Sequence, residues 1–180
     1  MEGNHDWAVM VALCEEGQTV TSWIWQPTSQ AMYTAEAGCG GACNAVAVAV
    51  TSRPVGPGAL RGAVLTRFLP VSVSATVDTG RDRFDAVISG RRCAGVDYST
   101  VVDGGQDFVL FWRTLPSDHA PGLLLLQEAG GVALRPDASP YRPADTRPGL
   151  LAAADRSTWD AVRAILLPGV LTDHDDGADL

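Results

Sequence analysis

Residues 7–13 are almost wholly apolar, with Val9, Val11 and Leu13 alternating against Ala8, Met10 and Ala12, a pattern that predicts a strand buried on both faces. Glu15, Glu16, Gly17 and Gln18 form a turn cluster. The β-branched and aromatic run over 19–25 completes a β-hairpin, and a short third strand is expected over 32–35. Glycines 38, 40 and 41 interrupt the pattern before strict alternation of Val46, Val48 and Val50 predicts another strand over 45–51. Leu60, Val64 and Phe68 stand at i, i+4, i+8 spacing and predict a helix over 59–68. Between 70 and 87, Val71, Val73 and Val77 read as extended, while 81–86 reads as the start of a helix.

A short helix is expected over 96–102, stopped by Asp103, Gly104 and Gly105, then a strand over 107–112. Asp118 reads as the N-cap of a helix with Pro121 in its first turn. Its leucines, 123–126, imply burial nearly all round, up to a stop at Gly130 and Gly131. Strands over 132–134 and 150–153 follow, and residues 157–166 place Trp159, Val162, Ile165 and Leu166 on one helical face. The five tryptophans read as core rather than as a stacking platform.

A chain of 180 residues, 46% apolar, can hide roughly 70% of the surface its unfolded form exposes, so it needs no metal or disulfide to fold. One globular domain is expected over 1–170, with a disordered acidic tail over 171–180. The net charge of −8 disfavours a nucleic-acid partner, and no apolar run reaches the ~20 residues of a membrane span. The N-terminus carries no signal-peptide pattern, and the four cysteines lack disulfide or zinc spacing, which points to the cytoplasm.

No phosphate-binding glycine loop and no nucleophile elbow is present, and Ser117, Asp118 and His119, being adjacent, cannot converge as a triad. Asp118 has two readings. As a cap it satisfies helix N–H groups; as a metal ligand it would sit at the positive helix end where a phosphate and a hard cation also gather. His119 reads as a packed or surface imidazole rather than a ligand, and Asp82 and Asp85 as a solvated face.

Three stretches together resemble one family. Leu115-Pro-Ser-Asp118-His-Ala-Pro-Gly122, followed by a leucine helix and Gln127-Glu-Ala-Gly-Gly131, is similar to the second signature of the inositol monophosphatase family. Arg135-Pro-Asp-Ala-Ser-Pro-Tyr141 resembles that family's following hairpin. Met32-Tyr-Thr-Ala-Glu-Ala-Gly38 with Gly40, Gly41 and Ala42 resembles the hairpin that comes after its first signature.

The resemblance implies an αβαβα sandwich of the inositol monophosphatase and fructose-1,6-bisphosphatase type, here N-terminally incomplete. It implies Mg²⁺-dependent hydrolysis of a small phosphate monoester. It makes Asp118 a metal ligand and places Cys93, Ala94 and Gly95 in the loop that approaches the substrate, where Arg92 replaces a glycine. The family's N-terminal Glu-Glu and its Asp-Pro-x-Asp-Gly-Thr, which carry most metal ligands, do not occur. Phe111 stands where inositol-selective members often carry an acidic residue. The expectation is therefore a small phosphorylated metabolite as partner, room for a homodimer, no assigned catalytic residue, and a chain that is inactive or weakly active by itself. A non-catalytic binding module, or a degraded remnant of such a phosphatase, is the alternative.

Overall fold

The computed structural model describes residues 6–170, so the acidic tail expected over 171–180 lies outside the described residues. Strands β1 (Val9–Glu15), β2 (Gln18–Gln26), β3 (Ala31–Glu36), β4 (Gly40–Cys43) and β5 (Val46–Val48) form an antiparallel meander in that order. Then come β6 (Arg61–Val64), α1 (Val71–Gly80), β7 (Ala86–Ser89), α2 (Ala94–Val102), β8 (Phe108–Phe111), α3 (Pro116–Glu128), β9 (Val132–Leu134), β10 (Leu150–Ala153) and α4 (Arg156–Leu166). The second sheet runs β7-β6-β8-β10-β9, with β6 parallel to both β7 and β8 and the rest antiparallel.

Two apolar cores define the layers. Ile24, Tyr33 and Ala35 of the first sheet meet Tyr98 and Val101 of α2, the leucines of α3, and Val109, Phe111 and Leu150 of the second sheet. On the other face of the second sheet, Phe108, Leu110 and Leu151 pack on Val73 and Val77 of α1 and on Trp159, Val162 and Leu166 of α4. The order is sheet, helices, sheet, helices, which is the layered α/β fold expected; among the described residues no helix covers the outer face of the first sheet.

That outer face corrects two expectations. β1 is not buried on both faces: Val9, Val11 and Leu13 are about half exposed, as are Trp7 and, to a smaller degree, Trp23. Trp159 alone of the five tryptophans is fully buried. The glycine cluster interrupts the sheet only in part. Gly38 sits in the turn after β3, at φ +76°, but Gly40 and Gly41 open β4, and Gly41 lies under α3 where a Cβ would stand 3.3 Å from Cδ1 of Leu125. Glu128 locks this hairpin by accepting the N–H groups of Gly38 and Gly40, each at 2.8 Å.

The predicted helix over 59–68 is replaced by β6 and a short 3₁₀ turn, Thr66–Phe68. β6 is the middle of three parallel strands, and its Gly62, Ala63 and Val64 are buried, so sheet pairing overrides a coincidental i, i+4 spacing. Conversely, residues 71–80 are helical rather than extended. Val73 and Val77, four apart, pack on α4, and the Thr76 hydroxyl donates to the Ser72 carbonyl at 3.1 Å. The helix expected from Arg81 is only a 3₁₀ turn, Arg81–Arg83. α3 starts at Pro116, whose fixed φ and missing N–H suit a first helical residue, so Asp118 falls inside the first turn and Leu115 takes the N-cap position. Pro121 lies inside the helix, beyond that turn.

Candidate active site

β6, β7 and β8 point their C-terminal ends the same way, and the connections leaving them surround a cavity of about 340 Å³. An opening outside the carboxyl ends of parallel strands is where α/β sheets hold ligands, because several loops and helix N-termini converge there. Thr66, Arg67 and Phe68 come from beyond β6. Ser89, Gly90, Arg92 and Ala94 come from the end of β7 and the start of α2. Phe111, Arg113, Asp118 and His119 come from the end of β8 and the start of α3.

The tertiary fold thus brings Asp118 and Ala94 to one cavity from segments 24 positions apart in the chain. Cys93 and Gly95 do not line it. Cys93 is the half-buried residue preceding α2, and burial raises its thiol pKa. Gly95 faces the first sheet, where a Cβ would lie 3.0 Å from side-chain atoms of Ala8, Met10 and Ile24. Neither α2 nor α3 has a side-chain cap at its N-terminus, so the Asp118 carboxylate, which sits beside its own helix dipole and accepts from the Ser117 hydroxyl at 3.2 Å, is not a capping group.

His119 is buried, and its two ring nitrogens are both used. Nδ1 faces the Tyr98 hydroxyl at 3.2 Å and Nε2 the Arg113 carbonyl at 2.9 Å. Since the carbonyl can only accept, Nε2 carries the proton and Nδ1 accepts from Tyr98. Burial pushes the imidazole down to about 4, against the opposing pull of the Arg113 carbonyl and Asp118. The residue is a neutral strut that fixes the backbone at Arg113, in line with a packed imidazole.

Asp97, on the first turn of α2, is fully buried. Its Oδ1 accepts the Arg91 N–H at 3.0 Å, while Oδ2 has no hydrogen-bond partner. Burial pushes this carboxyl up to about 6, with the Arg91 N–H and charge pulling the other way. The contact ties α2 to the 89–92 loop at the cavity mouth.

Sequence reading missed Arg67, Phe68 and Arg113. The guanidinium of Arg67 stands 5.2 Å, and that of Arg113 5.1 Å, from the centroid of the Phe68 ring. Placing 59–68 in a helix hid this grouping, which depends on Arg67 following a strand. Arg92, in the position where the family pattern has glycine, adopts φ +62°, the left-handed region that glycine occupies without strain.

By themselves the described residues do not complete a magnesium site. Among the described residues no group of three or more His, Cys, Asp or Glu side chains converges, and Asp118 is the one carboxylate lining the cavity. Magnesium demands six oxygens in near-octahedral order, and a single carboxylate amid arginines supplies neither the ligand number nor the charge.

The model of the inositol monophosphatase family matches residues 1–167. The chain belongs to that family. An inositol monophosphatase from Zymomonas mobilis superposes with a TM-score of 0.77 at 20% identity, covering 89% of this chain and 62% of its own. The extragenic suppressor protein suhB from Bartonella henselae also reaches 0.77 at 20% identity, with 90% and 63% covered. A Thermotoga maritima inositol monophosphatase gives 0.74 at 20% identity, with 91% and 61% covered. The chain therefore spans a little over three fifths of these structures. No curated protein matches it in sequence.

Proposed function

We propose that the cavity at the ends of β6, β7 and β8 binds a small phosphate monoester, as the substrate-holding part of a Mg²⁺-dependent phosphomonoesterase site, and that this chain by itself hydrolyses the ester weakly or not at all. The observation that carries the reading is the convergence of Asp118, at the start of α3, with Ala94, at the start of α2, on one arginine-lined cavity. Uncapped helix N-termini and guanidinium groups favour a dianionic phosphate. Asp118 would serve as one metal ligand, and the remaining oxygens have no source among the described residues. Arg92 and the α2 N-terminus would hold the ester, with Cys93 and Gly95 setting the loop rather than touching it. A cytoplasmic location agrees with this reading, and no helix among the described residues is long and apolar enough to cross a membrane.

The test is phosphate release from glycerol 3-phosphate by the purified chain, with and without Mg²⁺. Release at or near the buffer rate, alongside measurable binding of the ester, is expected. Rapid Mg²⁺-dependent turnover abolished in Asp118→Asn would overturn the claim of weak activity, and absence of any ester binding would overturn the cavity assignment.

A further inference from the structure

All thirteen basic residues of the chain are arginines, and most pair with aspartates: Arg53 with Asp107, Arg61 with Asp85, Arg91 with Asp6, Arg135 with Asp145, and Arg156 with Asp160. Six arginines enter no ion pair among the described residues, and three of these, Arg67, Arg92 and Arg113, line the same cavity, each from the connection after a different parallel strand. In a protein of net charge −8, three such guanidinium groups around one opening are a concentrated anion receptor. They outnumber the single carboxylate there, Asp118.

Their arrangement is not uniform. Arg92 belongs to the 89–92 loop, next to the uncapped start of α2, and holds a left-handed backbone that ordinarily favours glycine; strain of this kind persists where the surroundings impose it. Arg67 and Arg113 form a separate pair on the Phe68 ring. Phe68, Trp112 and Arg113 also line a second cavity of about 340 Å³, bounded by Pro116, Pro143 and Pro148. The Arg67 and Arg113 pair therefore stands where the first cavity adjoins further space. The His119 bond to the Arg113 carbonyl holds one member in place.

We infer that the ligand carries a second anionic group, a carboxylate or another phosphate, bound by Arg67 and Arg113 while Arg92 and the start of α2 take the phosphate ester. This rests on the phosphate reading of the cavity and specifies its substrate class. Asp118 shares the first cavity and Asp145 the second, but neither forms an ion pair with the two guanidinium groups, which the Phe68 ring holds side by side for a ligand anion.

Calorimetry in EDTA with two matched probes tests it. Glycerol 3-phosphate and 3-phosphoglycerate are similar in size and share the phosphate, but only the second has a carboxylate. The intact chain is expected to bind 3-phosphoglycerate about fivefold or more tightly than glycerol 3-phosphate. Arg67→Ala and Arg113→Ala should each cut that preference to about twofold or less while leaving glycerol 3-phosphate binding nearly unchanged, and Arg113→Lys should restore part of it. Arg92→Ala should weaken both probes together. All three arginines are exposed, so unchanged urea midpoints are expected to accompany these shifts. Equal affinity for the two probes, or a preference that survives the Arg67→Ala and Arg113→Ala double variant, overturns this inference and leaves the phosphate reading standing. Failure of both probes to bind overturns the phosphate reading and this inference with it.

Discussion

The Tyr98 hydroxyl donates to Nδ1 of His119 at 3.2 Å, joining α2 to α3 through two buried side chains. The imidazole passes the constraint on through its Nε2 proton to the Arg113 carbonyl, so one side-chain chain positions an arginine at the cavity mouth. Tyr98→Phe removes the donor and leaves Nδ1 buried without a partner. The expected cost is about 1–3 kcal/mol in a urea melt. A loss under about 0.5 kcal/mol would show that the bond adds nothing to stability.

Gly122 makes a second close approach between these helices. A Cβ there would lie 2.1 Å from Cδ2 of Tyr98, whose ring is fully buried and backed by Phe111 at a centroid distance of 5.1 Å. Gly122→Ala improves helix propensity yet forces the ring to move. A net destabilisation of about 1–3 kcal/mol is expected, read as a lower thermal midpoint. An unchanged or higher midpoint would mean that the two helices separate easily.

Asp97 sets a pH dependence. Its folded pKa, about 6, is above the ordinary carboxyl value, so the folded state keeps the proton longer than the unfolded chain does. Stability from this group is complete below the unfolded value near 4. It is lost as pH rises towards 6, by up to about 3 kcal/mol for a shift of this size. Asp6 and Arg91 are the charged neighbours that act on it. Asp97→Asn should remove the dependence. The variant's stability relative to the parent should rise between pH 4 and pH 6.5, which urea midpoints across that range measure; a constant difference would contradict the assignment.

Arg135 is buried, and its guanidinium donates to Asp145 Oδ2 at 2.9 Å, to the carbonyls of Gly149 and Asp145, and to that of Arg147. It also lies over the Tyr141 ring at 5.0 Å. Arg135→Ala leaves the carbonyls of Asp145, Arg147 and Gly149 without this buried donor, while the Asp145 carboxylate keeps Arg147 at 2.7 Å. A loss of about 1–3 kcal/mol is expected in denaturant melts. Arg135→Lys should recover only part, since an ammonium cannot reproduce the planar fork.

Local order in the chain shows where the pattern sufficed. The β1–β2 hairpin, α2 with its Asp103-Gly104-Gly105 stop, and the buried leucines of α3 were all legible, because alternation, glycine stops and continuous apolar runs act within a few residues. The 59–80 region was not. Its valines and leucines fit either period, and only the neighbours β7 and β8 on one side and α4 on the other select strand for β6 and helix for α1.

The sequence by itself determined the family, through short motifs whose residues lie close together, and it marked Asp118 and the loop before α2 as the parts of interest. Only the tertiary structure decided that Asp118 and Ala94 share a cavity, that Gly95 faces away from it, and that Arg67, Arg92 and Arg113 meet there. The reason is physical: these groups come from the ends of three parallel strands, and parallel strands are brought side by side by crossovers through helices, a long-range pairing that no local spacing encodes.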